Sequence, residues 1–65
     1  MRIRLNGEAR EVSGPTLAAA LDELGYGGAV VATAVNGAFA PAESRAELVL
    51  RDGDAVEVLA PMQGG

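Results

Sequence analysis

Cysteine, histidine, lysine and tryptophan are all absent from this sequence, and its aromatic residues are one Tyr and one Phe. Without cysteine there is no thiol nucleophile and no disulfide. Without histidine there is no imidazole base and no zinc site of the usual kind. Without lysine there is no side-chain amine through which the chain could conjugate to itself. The five positive charges are all arginines, at Arg2, Arg4, Arg10, Arg45 and Arg51, and the net charge is −4. That balance argues against a nucleic-acid backbone as partner, because such binding is driven by clustered positive charge. The first residues lack an apolar signal core and no apolar run approaches the length of a bilayer span, so a cytoplasmic protein with no membrane partner is expected.

A chain of 65 residues makes one small domain, of a size that buries only about 60% of its unfolded surface. Its core is thin, and ordering entropy of about 1.5 kcal/mol per residue leaves nothing to support a second lobe. Such a domain suits being carried and docked better than enclosing a substrate.

The chain opens with an alternating run in which Met1, Ile3 and Leu5 share one face and Arg2 and Arg4 the other, the pattern of a strand with one wet face. Asn6-Gly7 tolerates the two positive φ values of a type I′ turn, so Glu8 to Val12 is expected to return as the second strand of a hairpin. Ser13-Gly14-Pro15 breaks the strand, and Thr16 is placed to cap a helix. Leu17, Leu21 and Leu24 recur at helical spacing with Ala20 beside them and Asp22 and Glu23 outward. Gly25 supplies the left-handed residue that ends the helix. The Gly25, Gly27 and Gly28 cluster lacks the Lys-Ser/Thr and the preceding strand of a phosphate loop, and reads as a plain connection.

Ala29 to Val35 is nearly all apolar, as in a strand covered on much of both faces. Asn36-Gly37 repeats the hairpin signal, and Pro41 ends a short Ala38-Phe39-Ala40 strand. Residues 42–47 are polar and helix-compatible, Leu48-Val49-Leu50 reads as a brief strand, and Arg51-Asp52-Gly53-Asp54 as a turn. Asp52 and Asp54 admit a metal-ligand reading, but an Asp-Gly turn explains them more simply. Ala55 to Ala60 closes the fold, with Val56, Val58 and Ala60 on one face and Ala55, Glu57 and Leu59 on the other. The expected fold class is α+β: a mixed sheet of four to five strands, the strand near Val56 parallel beside the strand near Ile3, with the Thr16–Leu24 helix packed across one face.

Residues 61–65 stand apart from residues 1–60. Pro61 cannot donate to a sheet ladder, so regular pairing is expected to stop there. The five residues Pro61-Met62-Gln63-Gly64-Gly65 read as a flexible tail with a reach of roughly 17 Å beyond the domain. Gly64 and Gly65 have no Cβ and pass through a channel too narrow for a side chain. The carboxylate of Gly65 is the candidate working group, ionised near neutral pH and a poor electrophile until another protein activates it. If a chain with no thiol handles sulfur, the sulfur has to ride on that carboxyl. Residues 34–65 hold five of the nine acids, at Glu43, Glu47, Asp52, Asp54 and Glu57, which favours a basic docking surface on a partner. Leu59, Glu57 and Met62 are the candidate docking residues. Two incidental glycines on an interaction domain remain the alternative.

The Asn6-Gly7 hairpin, Thr16 opening a helix with Leu17 and Leu21, and Val35-Asn36-Gly37 leading to Pro41 form a recognisable order. With Leu50-Arg51-Asp52-Gly53-Asp54-Ala55-Val56-Glu57 and the terminal Gln63-Gly64-Gly65, they resemble the ThiS family of sulfur carriers across essentially the full length. That family has the β-grasp fold of ubiquitin-like proteins. The chain departs from the pattern at Arg45, where members often carry tryptophan, and at Pro61, unusual so near the tail. Both bear on partner contacts.

The resemblance implies that the Gly65 carboxylate is adenylated by a ThiF-like adenylyltransferase using ATP with Mg, the carrier itself binding no cofactor. A cysteine desulfurase or other persulfide donor then converts the adenylate to a thiocarboxylate, and a ThiG-like thiazole synthase takes the sulfur for the thiazole ring of thiamin. Other sulfur acceptors, molybdopterin through the related MoaD carriers or a tRNA base, and a ubiquitin-like modifier that bonds Gly65 to lysines, remain open within the same fold.

Overall fold

The structure, a computed structural model, describes residues 1–60. Five strands and one helix follow in the order β1 (Arg2–Leu5), β2 (Glu8–Glu11), α1 (Leu17–Glu23), β3 (Ala32–Val35), β4 (Ala38–Ala40) and β5 (Ala55–Leu59), with a 3₁₀ turn at Ala42–Ser44 before β5. The sheet order is β2-β1-β5-β3-β4. β1 and β5 pair in parallel, with Arg4 opposite Ala55 and Leu5 opposite Val56, as expected; the other neighbours are antiparallel.

Both Asn-Gly dipeptides turn as the sequence predicts. Asn6 and Gly7 have φ of 50° and 86°, and Asn36 and Gly37 have 51° and 84°, the paired positive values of a type I′ hairpin. The helix starts where Thr16 Oγ1 accepts from the Ala19 amide at 3.2 Å and stops before Gly25, whose φ is +95°. Its buried stripe of Leu17, Ala20 and Leu21 packs on Ile3, Leu5, Val56 and Val58 from the central strands. Ile3, Leu17 and Val56 are the largest fully buried side chains, each contributing about 1.5–3 kcal/mol of burial. Every one of these residues sits at an inward position of its strand or helix, so the opposite sheet face is left uncovered by α1.

Three expectations are corrected, and a fourth is borne out in part. Residues 29–31 are not strand: β5 ends at Leu59 opposite Ala32, so among the described residues no strand pairs with 29–31. The Ala29 amide instead bonds the Tyr26 carbonyl at 2.9 Å, and Val30 is 81% exposed rather than covered on both faces. Leu48-Val49-Leu50 makes only a bridge between Val49 and Thr16, because its partner, the segment entering α1, turns helical after one rung. Ala60 lies beyond β5 and is exposed, not inward with Val56 and Val58. Of the helix-compatible stretch 42–47, only Ala42–Ser44 is helical, as a 3₁₀ turn.

Asp52 and Asp54 are spent on the turn. Asp52 accepts from the Arg2 amide at 2.7 Å, and Asp54 accepts from the Arg51 amide at 2.8 Å and Asn36 Nδ2 at 3.0 Å. Among the described residues no helix is long and apolar enough to cross a membrane.

Candidate functional site

β5 carries both faces of the molecule into its last residues. Val56 and Val58 point to the helix, while Glu57 and Leu59 stand exposed on the uncovered face, so the structure brings these two candidate docking residues together. Leu59 is 73% exposed and sits opposite Ala32, and Phe39 is 72% exposed and sits opposite Ala34. Asn6, Ala32, Ala34, Phe39, Glu57 and Leu59 line one open groove on this face. A second hollow, lined by Val30, Ala32, Leu59 and Ala60, continues it to the end of β5. Met62, Gln63, Gly64 and Gly65, the other candidate residues, lie outside the described residues.

The two halves of this face differ in character. On β1 and β2 it is charged: Arg2 and Arg4 point outward, and Arg2 Nε pairs with Glu11 at 3.1 Å. On β3, β4 and β5 it is apolar, with Glu57 as the carboxylate of the groove. Contiguous exposed apolar side chains rimmed by charge mark an interaction surface.

Three side-chain devices hold this face in shape. Asn6 exchanges two hydrogen bonds with Val58, accepting from its amide at 2.9 Å and donating to its carbonyl at 3.2 Å. Asn36 accepts from the Ala55 amide at 2.9 Å at the start of β5, and its bond to Asp54 is the main reason that carboxyl is held below its ordinary value, with the Arg51 amide second. Arg45 donates from its guanidinium to the Val31 carbonyl at 2.6 Å and from Nε to Thr33 Oγ1 at 3.2 Å. Arg45 is thus tied into its own sheet, fixing the chain as it enters β3.

The sequence marked Leu59 and Glu57 by alternation alone. It did not mark Phe39, Val30 or Ala32, whose placement depends on register across β3, β4 and β5. Nor did it mark the pairing of Asn6, for which the only signal was the choice of Asn over Asp or Gly in both turns.

Comparison with known proteins agrees with this geometry. The model of the ThiS family matches residues 3–65. The sulfur carrier protein ThiS of Thermus thermophilus is 44% identical over 61 residues, covering 94% of this chain and 95% of that protein. The crystal structure of the thiamine biosynthesis protein ThiS from Geobacter metallireducens superposes with a TM-score of 0.83 at 32% identity, over the whole of both chains.

Proposed function

The chain belongs to the ThiS family, and on that premise we propose that it is a β-grasp sulfur carrier of thiamin biosynthesis whose working group is the Gly65 carboxylate. The observation that carries the reading is the family match, which runs through the terminal Gly64-Gly65. The protein is then a substrate of other enzymes rather than a catalyst.

The chemistry follows from what a carboxylate lacks. An adenylyltransferase joins a Gly65 carboxyl oxygen to the α-phosphorus of ATP, and pyrophosphate leaves. Mg and the enzyme's cations neutralise the phosphate charge. The resulting mixed anhydride is a far better acyl donor. The terminal sulfur of a persulfide, from a cysteine desulfurase or comparable donor, attacks the acyl carbon and AMP departs with the C–O bond. A second thiol then cleaves the S–S bond, leaving the thiocarboxylate and a disulfide. Thiazole synthase takes the sulfur from there.

The apolar face is the docking surface for the adenylating enzyme. An active site that receives Gly65 lies within about 17 Å of Ala60, the reach of five extended residues, so that enzyme must cover the surface around Ala60. That surface is Val30, Ala32 and Leu59, with Glu57 one alternation away to meet a cation. Met62 adds a further apolar side chain to the contact.

Deleting Gly65 tests the reading. The buried core runs from Ile3 to Val58, so the thermal transition is expected to stay in place. The carboxylate, however, moves back by about 3.5 Å, and sulfur transfer is expected to vanish. A deletion variant that still supports sulfur transfer refutes the assignment of Gly65.

A further inference from the structure

β1 is too short for the strand it supports. Its parallel ladder with β5 runs from the Arg4 amide, which bonds the Asp54 carbonyl at 2.9 Å, to the Asn6 amide, which bonds the Val56 carbonyl at 2.9 Å. The next rung of a parallel ladder would need a backbone carbonyl and amide facing Val58. The chain has by then turned away at Asn6-Gly7. The Asn6 carboxamide fills the gap, offering Oδ1 to the Val58 amide and Nδ2 to its carbonyl at 2.9 and 3.2 Å. One side chain thus supplies both the acceptor and the donor of the missing backbone, a pairing that an ionised Asp, which has no donor, or Gly, which has neither, cannot make in full.

Val58 is two residues from Ala60, where the described chain ends, and among the described residues β5 is paired beyond Val58 only through Leu59 with Ala32 on its other side. We infer that Asn6 is a positioning residue, extending the β1 ladder by one rung so that β5 holds Ala60, from which residues 61–65 depart, in a fixed place. The inference rests on the reading of Gly65 as the acylated group. Asn6 borders the groove with Glu57 and Leu59, but both ends of its carboxamide are spent on Val58 and face the strand rather than a partner.

The second hairpin provides a matched control. Asn36 has the same turn conformation and also bonds β5, but at Ala55, the opposite end of the strand. Glycine accepts positive φ without strain, so Asn6→Gly and Asn36→Gly each keep the turn and remove one carboxamide. Asn6→Gly is expected to speed amide exchange at Val58 and to lower kcat for adenylation of the carrier about tenfold, the scale of a small misplacement of a reacting group, with KM within about twofold. Asn36→Gly is expected to leave kcat unchanged. Asn6→Asp, which keeps the acceptor and loses the donor, is expected to fall between wild type and Asn6→Gly. Equal losses in kcat for the two glycine variants, or an Asn6→Gly variant with wild-type kcat or wild-type exchange at Val58, would overturn the role. If the wild-type carrier is not adenylated at all, the reading of Gly65 fails instead. The exchange measurement then still decides whether Asn6 holds Val58.

Discussion

Arg45 and Thr33 share a 3.2 Å hydrogen bond from guanidinium Nε to hydroxyl oxygen, and the same hydroxyl donates to the Ala40 carbonyl at 2.9 Å. The relay ties the connection after the 3₁₀ turn to β3 and β4, with Thr33 only 2% exposed. Thr33→Val keeps the shape but strands the Arg45 Nε. A buried group left unpaired costs about 1–3 kcal/mol, so the urea midpoint of Thr33→Val is expected to fall accordingly. An unchanged midpoint contradicts the relay.

Glu23 performs a comparable service at the end of α1, its carboxylate accepting from the Ser13 amide at 2.8 Å and the Gly14 amide at 2.9 Å. It fixes the exit of β2 to α1. These amides are exposed and water can replace the carboxylate, so Glu23→Ala is expected to cost about 1 kcal/mol. Chemical denaturation measures the loss, and exchange rates at the two amides localise it.

The depressed pKa of Asp54 gives stability a pH dependence. Its causes are first the hydrogen bond from Asn36 and then that from the Arg51 amide, partly opposed by desolvation. Because the folded value lies below the unfolded one of about 3.9, the carboxylate contributes stability that is fully present above that pH. The contribution is lost as pH falls through the folded value. Asp54→Asn removes the titration, so stability plotted against pH is expected to fall less steeply below about pH 4 than in wild type. Identical acid slopes would contradict this.

Most of the fold was legible because its signals are local. An Asn-Gly pair demands two positive φ values wherever it stands, and Thr16 with Leu17 and Leu21 states a helix start and its buried face within six residues. What could not be read depends on partners far along the chain. Residues 29–31 carry a strand composition but run past the end of β5, so among the described residues they have no strand to pair with. Val49 meets the chain at Thr16 for a single rung. Phe39 faces out because Ala34 does, which follows from Thr33 and Val35 facing in. For the site, alternation along β5 sufficed to place Leu59 and Glu57 together, whereas the apolar surface around them is assembled from three strands.

Leu59→Arg probes that surface. Leu59 is exposed and makes no contribution to the buried core, so the circular dichroism spectrum is expected to match wild type. Placing a cation in an apolar contact, where truncation of a central residue commonly costs more than 1 kcal/mol, is expected to raise KM for the adenylating enzyme about tenfold or more. A wild-type KM would remove Leu59 from the docking surface.

The central claim is that Gly65 carries the sulfur. Intact-mass spectrometry after incubation with ATP, Mg, an adenylyltransferase of this family's pathway and a persulfide donor tests it most directly. The account predicts the gain of one oxygen-to-sulfur exchange per chain, mapping to Gly65 in the C-terminal fragment and dependent on ATP. A chain that keeps its mass under these conditions, or one that instead forms a Gly65-lysine bond to another protein, would contradict it.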